Sequence, residues 1–167
     1  MRHPLSALLW SIVALFFQVF VLGNVQLFGY LNPYLYPIIF ILWPLSWNRA
    51  TGLIVAFLMG FTIDFFEHSG GLQASAATLL FMIRPWIVRA VAPRSEMESM
   101  PLTLQAMGQP KFLTYTGMSL LIFHLWLFWW EAFDFFELFS ILFRSILSAG
   151  VATVLVYTIQ LFSLKSE

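Results

Sequence analysis

RATGLIVAFLMGFTIDFFEHSGGLQASAATLLFMIRPWIVRAVA, residues 49–92, holds two apolar runs, 50–66 and 71–92, separated by Glu67-His68-Ser69-Gly70. A helical membrane span needs roughly 20 predominantly apolar residues at about 1.5 Å each. Inside hydrocarbon every backbone polar group must be satisfied internally, which leaves helices and closed barrels. Barrel strands alternate apolar and polar residues; these runs are continuous, so they read as helices. Working outward, similar runs occur at 5–22, 33–47, 112–130 and 136–162. The expected fold is all-α: a polytopic membrane helix bundle of about six transmembrane helices in one domain covering 1–167. The run 33–47 is short and carries Pro37 and Pro44. It reads either as a kinked span or as a partly re-entrant one. Pro85 is expected to kink the run 71–92.

Composition points the same way. Hydrophobic residues make up 60% of the 167 and charged residues 10%, against roughly 25% charged in soluble domains. So few charges cannot cover a water-facing surface, whereas lipid solvates apolar side chains. The formal net charge is zero, which gives no bulk attraction to nucleic acid. The absence of cysteine removes disulfides and thiolate chemistry. The first run follows Met1, Arg2 and His3 but has no A-x-A site after it, so it is expected to be a retained helix.

Six spans also sort the charges. Arg2, Arg49, Arg89, Arg94, Lys111 and Lys165 then fall on the side of the N-terminus, and the opposite loops hold Glu67, Glu131, Asp134 and Glu137. By the positive-inside rule both termini are cytoplasmic, and the polar stretch 93–110 is a cytoplasmic loop. Trp43, Trp47, Trp86, Trp129 and Trp130 lie near expected span ends, where lipid contact alone accounts for them.

In the run 50–66, Gly52, Ala56, Gly60 and Asp64 are spaced by four and share one helix face. Small residues let membrane helices approach closely, so this stripe is expected to be a packing seam, with Asp64 turned inward. Gly70 and Gly71 permit a tight turn before the next helix. Ionisable groups inside spans are functional candidates by default. Arg84 lies roughly 12 Å from the cytoplasmic end of its helix and is expected to snorkel there. His124 and Arg144 fall in the outer half of their helices. With Gln18, Asn24, Asp64 and Gln73 they form an expected outward polar cluster, partly hydrated and suited to receiving a partner. Arg144 is expected to pair with Asp64, because an unpaired arginine in low dielectric is costly; Glu137 and Glu67 are the alternatives.

Enzyme signatures are missing. There is no HExxH, no Gly-x-Ser-x-Gly elbow, and Asp64 is the one aspartate inside an expected span, which disfavours a paired-aspartate protease. No residue set suggests a metal or cofactor.

The stretch Asn24-Val25-Gln26-Leu27-Phe28-Gly29-Tyr30, the Pro33/Pro37 segment, Arg49, and Gly52 through Gly60 to Asp64 together resemble the rod shape-determining protein MreD family. Gly70-Gly71-Leu72, the alanine-rich run after it, Arg84, Tyr115 and His124 extend the likeness over most of the chain. The resemblance implies a non-enzymatic scaffold of the bacterial cell-elongation (rod) complex in the cytoplasmic (inner) membrane. It implies association with MreC and, through the complex, with MreB, RodA and its class B penicillin-binding transpeptidase, in support of lateral peptidoglycan synthesis and cell shape. It further implies a fold similar to the S-components of energy-coupling-factor vitamin transporters. Because fold does not settle function, a substrate-binding S-component is the alternative reading.

Overall fold

The computed structural model describes residues 4–20, 33–92 and 101–165. Among them the structure is helical throughout, with no strand: α1 (Pro4–Phe20), α2 (Ile38–Ile41), α3 (Arg49–Glu67), α4 (Leu72–Val91), α5 (Leu104–Met107), α6 (Gln109–Ala132), a 3-10 turn (Phe135–Glu137) and α7 (Leu138–Lys165). Four of these are long and apolar enough to cross a membrane: α3, α4, α6 and α7 as far as Ser163. The stretch with Asn24 and the first half of the expected loop, 93–100, lie outside the described residues.

The run expected at 33–47 is not a span-length helix. Only the four residues of α2 are helical within it, and Pro37 and Pro44 bracket that single turn, as residues that end helices do. Residues 33–48 instead form a strap laid into the bundle. Tyr36, Ile39, Phe40 and Ile41 are almost fully enclosed. Non-helical backbone at membrane depth is tolerated where protein encloses it, and here protein does.

The expected loop 93–110 is also revised. Its second half folds back on the bundle: Leu102, Leu104 and Met107 are buried, and α5 packs against α6 and α7. The Gln160 side chain accepts a hydrogen bond from the Leu104 backbone N–H at 3.3 Å, and Thr103 caps the short helix through Ala106 N–H.

α3 starts where Asn48 accepts hydrogen bonds from Ala50 N–H and Thr51 N–H, a side-chain N-cap. It ends at His68, which adopts a left-handed conformation. The helices pack in the order α1–α3–α4–α6–α7, with α2 resting on α4 and α1. The seam residues Gly52, Ala56 and Gly60 are buried against α4. The opposite face of α3, with Ile54, Phe57, Leu58, Phe61 and Phe65, is exposed, as a lipid-facing surface is.

Gly60 sets the closest approach. A methyl group there would lie 2.5 Å from Ala74 Cα and 2.6 Å from the Gln73 carbonyl oxygen, both backbone atoms. At Gly52 the obstacle is the ring of Phe81, a packed side chain that must shift but, unlike backbone, can do so without moving a helix. Gly60→Ala is therefore expected to destabilise the fold by about 1–3 kcal/mol, the usual cost of overpacking, and Gly52→Ala by less. Thermal unfolding of detergent-solubilised protein checks the order; equal midpoints for the two variants would contradict it.

Candidate functional site

The polar side chains gather where α3 meets α4, and Asp64 is their centre. It is 5% exposed. One carboxylate oxygen accepts from Ser69 Oγ at 2.5 Å and from Gln73 N–H at 2.9 Å; the other accepts from Ala74 N–H at 2.8 Å. Helix α4 begins at Gly71, which has φ +97° and no side chain to cap with. Gln73 and Ala74 are the second and third residues of that helix, the N–H groups an N-cap side chain would take. Asp64 thus caps α4 from the preceding helix, with its negative charge at the positive end of the helix dipole. Gly70 and Gly71, both at positive φ, make the turn tight enough for this.

The expected ion pair between Asp64 and Arg144 is not formed. Arg144 pairs with Glu131 at 3.3 Å, and its guanidinium lies 4.1 Å from the centroid of the Phe128 ring. The physical reason is the packing order. Asp64 is on α3 and Arg144 on α7, with α4 and α6 between. The side chains of Arg144 and Glu131 are 26% and 46% exposed, so this pair is a rim feature.

Three other expected members meet at the Tyr34–Tyr36 segment of the strap. Gln18 Oε1 accepts from the Leu35 backbone N–H at 2.9 Å, so it serves the strap. Gln73 accepts from the Tyr36 hydroxyl at 3.1 Å and donates from Nε2 to Glu67 Oε2 at 3.1 Å. Tyr34 donates to the same Glu67 oxygen at 3.3 Å. His124 Nδ1 bonds the Leu120 carbonyl at 2.8 Å, and its ring centroid is 6.0 Å from that of Tyr34. Gln18, Asp64, Gln73 and His124 are all buried, which corrects the expectation of a hydrated opening: protein groups, not water, satisfy most of this cluster. Asn24 lies outside the described residues.

Arg84 does not snorkel. It is 2% exposed and donates to the Phe40 carbonyl oxygen, while its guanidinium carbon sits 4.8 Å from the Phe81 ring centroid, a cation–π contact. Next to it the Tyr115 hydroxyl donates to the Ile41 carbonyl at 2.8 Å. Phe40 and Ile41 close α2, and the last carbonyls of a helix have no partner within it. Tyr115 supplies the partner of the Ile41 carbonyl, Arg84 joins Trp43 N–H on the Phe40 carbonyl, and the arginine adds positive charge at the negative end of the turn.

Tyr34 and Tyr36 are site residues that the sequence reading left without a role, and Glu67 figured in it only as an alternative partner of Arg144. The signal was present in Pro33-Tyr34-Leu35-Tyr36-Pro37, two phenols in a proline-bounded segment too short to span. The described residues bring no three His, Asp or Glu side chains together as a metal site.

Comparison with protein-family models, with curated proteins and with solved structures gives no match. Fold and site therefore define the class directly: an α-helical membrane protein whose buried polar groups cap one helix and fasten one broken segment.

These roles order the effects of substitution. Asp64→Ala leaves two buried N–H groups without an acceptor, at about 1–3 kcal/mol each, and is expected to cost the most. Tyr115→Phe strands one carbonyl and is expected to cost about 1–3 kcal/mol. Arg144→Ala removes a partly exposed ion pair worth about 0–1 kcal/mol and a cation–π contact with Phe128 worth about 0.5–1 kcal/mol, and is expected to cost less than Asp64→Ala. Unfolding midpoints of the three variants test the ranking, and an Arg144→Ala loss matching that of Asp64→Ala would refute it.

Proposed function

We propose that this chain is a non-enzymatic scaffold of the bacterial cell-elongation (rod) complex in the inner membrane. In this reading it docks MreC and, through it, supports the MreB, RodA and penicillin-binding transpeptidase assembly that builds lateral peptidoglycan. The support is the resemblance to the MreD family together with where its residues fall. Gly60, Asp64, Gly70 and Gly71 meet at one joint, and Arg84 and Tyr115 clasp one strap. About six spans, N-in and C-in, and an S-component-like fold belong to the same proposal.

One observation favours the scaffold over a vitamin-binding S-component. The buried polar side chains Gln18, Asp64, Gln73 and Arg84 are engaged by backbone and side-chain groups of the chain itself. A small-molecule site keeps a few convergent polar groups for its ligand; here those groups maintain shape.

The test is purification in mild detergent from a rod-shaped host, with depletion of the protein alongside. MreC is expected to co-purify, and depleted cells are expected to become round. Rod shape retained after clean deletion, in a host with no second copy, would refute the proposal. Recovery of a bound vitamin without MreC would favour the transporter reading.

A further inference from the structure

At the Tyr34–Tyr36 end of the strap, where Gln18 holds the Leu35 backbone, one carboxylate gathers the side-chain bonds. Tyr34 and Gln73 Nε2 both donate to Glu67 Oε2, and Gln73 Oε1 accepts from Tyr36. An ionised carboxylate accepts hydrogen bonds and donates none. While Glu67 is ionised, the two bonds at Oε2 are charge-assisted. Protonation on Oε1 leaves Oε2 an acceptor but removes the charge that strengthens both bonds, so the hold on Tyr34 and Gln73 weakens. Glu67 is only half-buried, within reach of solvent protons.

The charged and titratable surroundings are few. The strap brings Tyr34 and Tyr36; α3 and its turn bring Asp64 and His68; α6 brings His124 and Glu131; α7 brings Arg144, which Glu131 engages. Residues 12–20 of α1 and 72–83 of α4 carry no charge. Glu67 has no cationic partner among the described residues, so neutral donors alone orient its charge.

We propose that Glu67 is a charge-operated latch. Ionised, it fastens the Tyr34–Tyr36 end of the strap to α3 and α4. Neutralised, it loosens that end, leaving Gln18 on the Leu35 N–H as its remaining strong tie, while Arg84 and Tyr115 keep the Phe40–Ile41 end clasped. The strap is therefore held above the titration of Glu67 and loosens as the pH falls through it.

The chain has no cysteine, so single engineered thiols report cleanly. Leu35→Cys and Ile41→Cys are placed separately in the full chain in detergent micelles. Each is labelled with a methanethiosulfonate reagent from about pH 8 to about pH 4, across the carboxylate range. Rates are normalised to the same thiol in the unfolded protein at each pH. The Leu35→Cys rate is expected to rise about tenfold on acidification, the scale of charge-assisted hydrogen bonds becoming neutral ones, with Ile41→Cys unchanged. Glu67→Gln is expected to fix the Leu35→Cys rate at its high value at every pH. Tyr34→Phe keeps the charge and removes one donor, so it is expected to raise the rate while retaining the pH step. A flat wild-type rate, a pH step that survives in Glu67→Gln, wild-type rates in Tyr34→Phe, or equal rises at positions 35 and 41 would each overturn the latch.

Discussion

The carboxylate of Asp64 on the first N–H groups of α4 is the constraint on which the rest of the structure depends. A helix start inside an apolar bundle leaves donors that water cannot reach. The glycine that makes the turn possible is the residue least able to cap it. Asp64 resolves the conflict from across the turn, and the geometry then demands close contact between α3 and α4. That contact requires Gly60, where the Ala74 backbone leaves no room for a side chain. Charge, turn and packing seam are thus one device, built from residues 60 to 74.

The strap poses the opposite problem, carbonyls without donors. Two prolines confine its helix to one turn, so its C-terminal carbonyls are short of donors at membrane depth, Trp43 N–H reaching that of Phe40. Arg84 and Tyr115 reach it from α4 and α6, and Gln18 meets a strap N–H from α1. Three helices each give a polar side chain to one irregular segment. The cost of burying an arginine is offset by a carbonyl at a helix end and by an aromatic face. An arginine that looks misplaced in an apolar helix is, in the folded chain, a ligand for backbone.

Much of this was legible in the sequence. Continuous apolar runs located the four membrane-length helices to within a few residues, because backbone satisfaction in lipid leaves little choice of structure. The spacing of Gly52, Ala56, Gly60 and Asp64 marked the inward face, since periodicity reports which residues share a side. What spacing does not report is which helices are neighbours. The pairing of Asp64 with Arg144 assumed that equal depth implies contact, and the order α3–α4–α6–α7 separates them. Arg84 was misread for a related reason: its partner is a main-chain carbonyl, and a carbonyl left free by a short helix leaves no mark in side-chain composition.

Gln73 joins the two halves of the structure. Its backbone N–H is held by Asp64, so it belongs to the cap. Its side chain lies between Tyr36 and Glu67, so it belongs to the strap. A displacement of α4 along its axis would move both sets of bonds together, and a displacement of the strap would pull on the residue that starts α4. Buried networks of this kind are stable only when every member is satisfied, which ties the seating of the strap to the depth of α4. The polar groups in this membrane domain therefore do not form an opening added to a bundle. They fix the relative height of α1, α3, α4 and the strap, which apolar contacts, being non-directional, would leave free to slide.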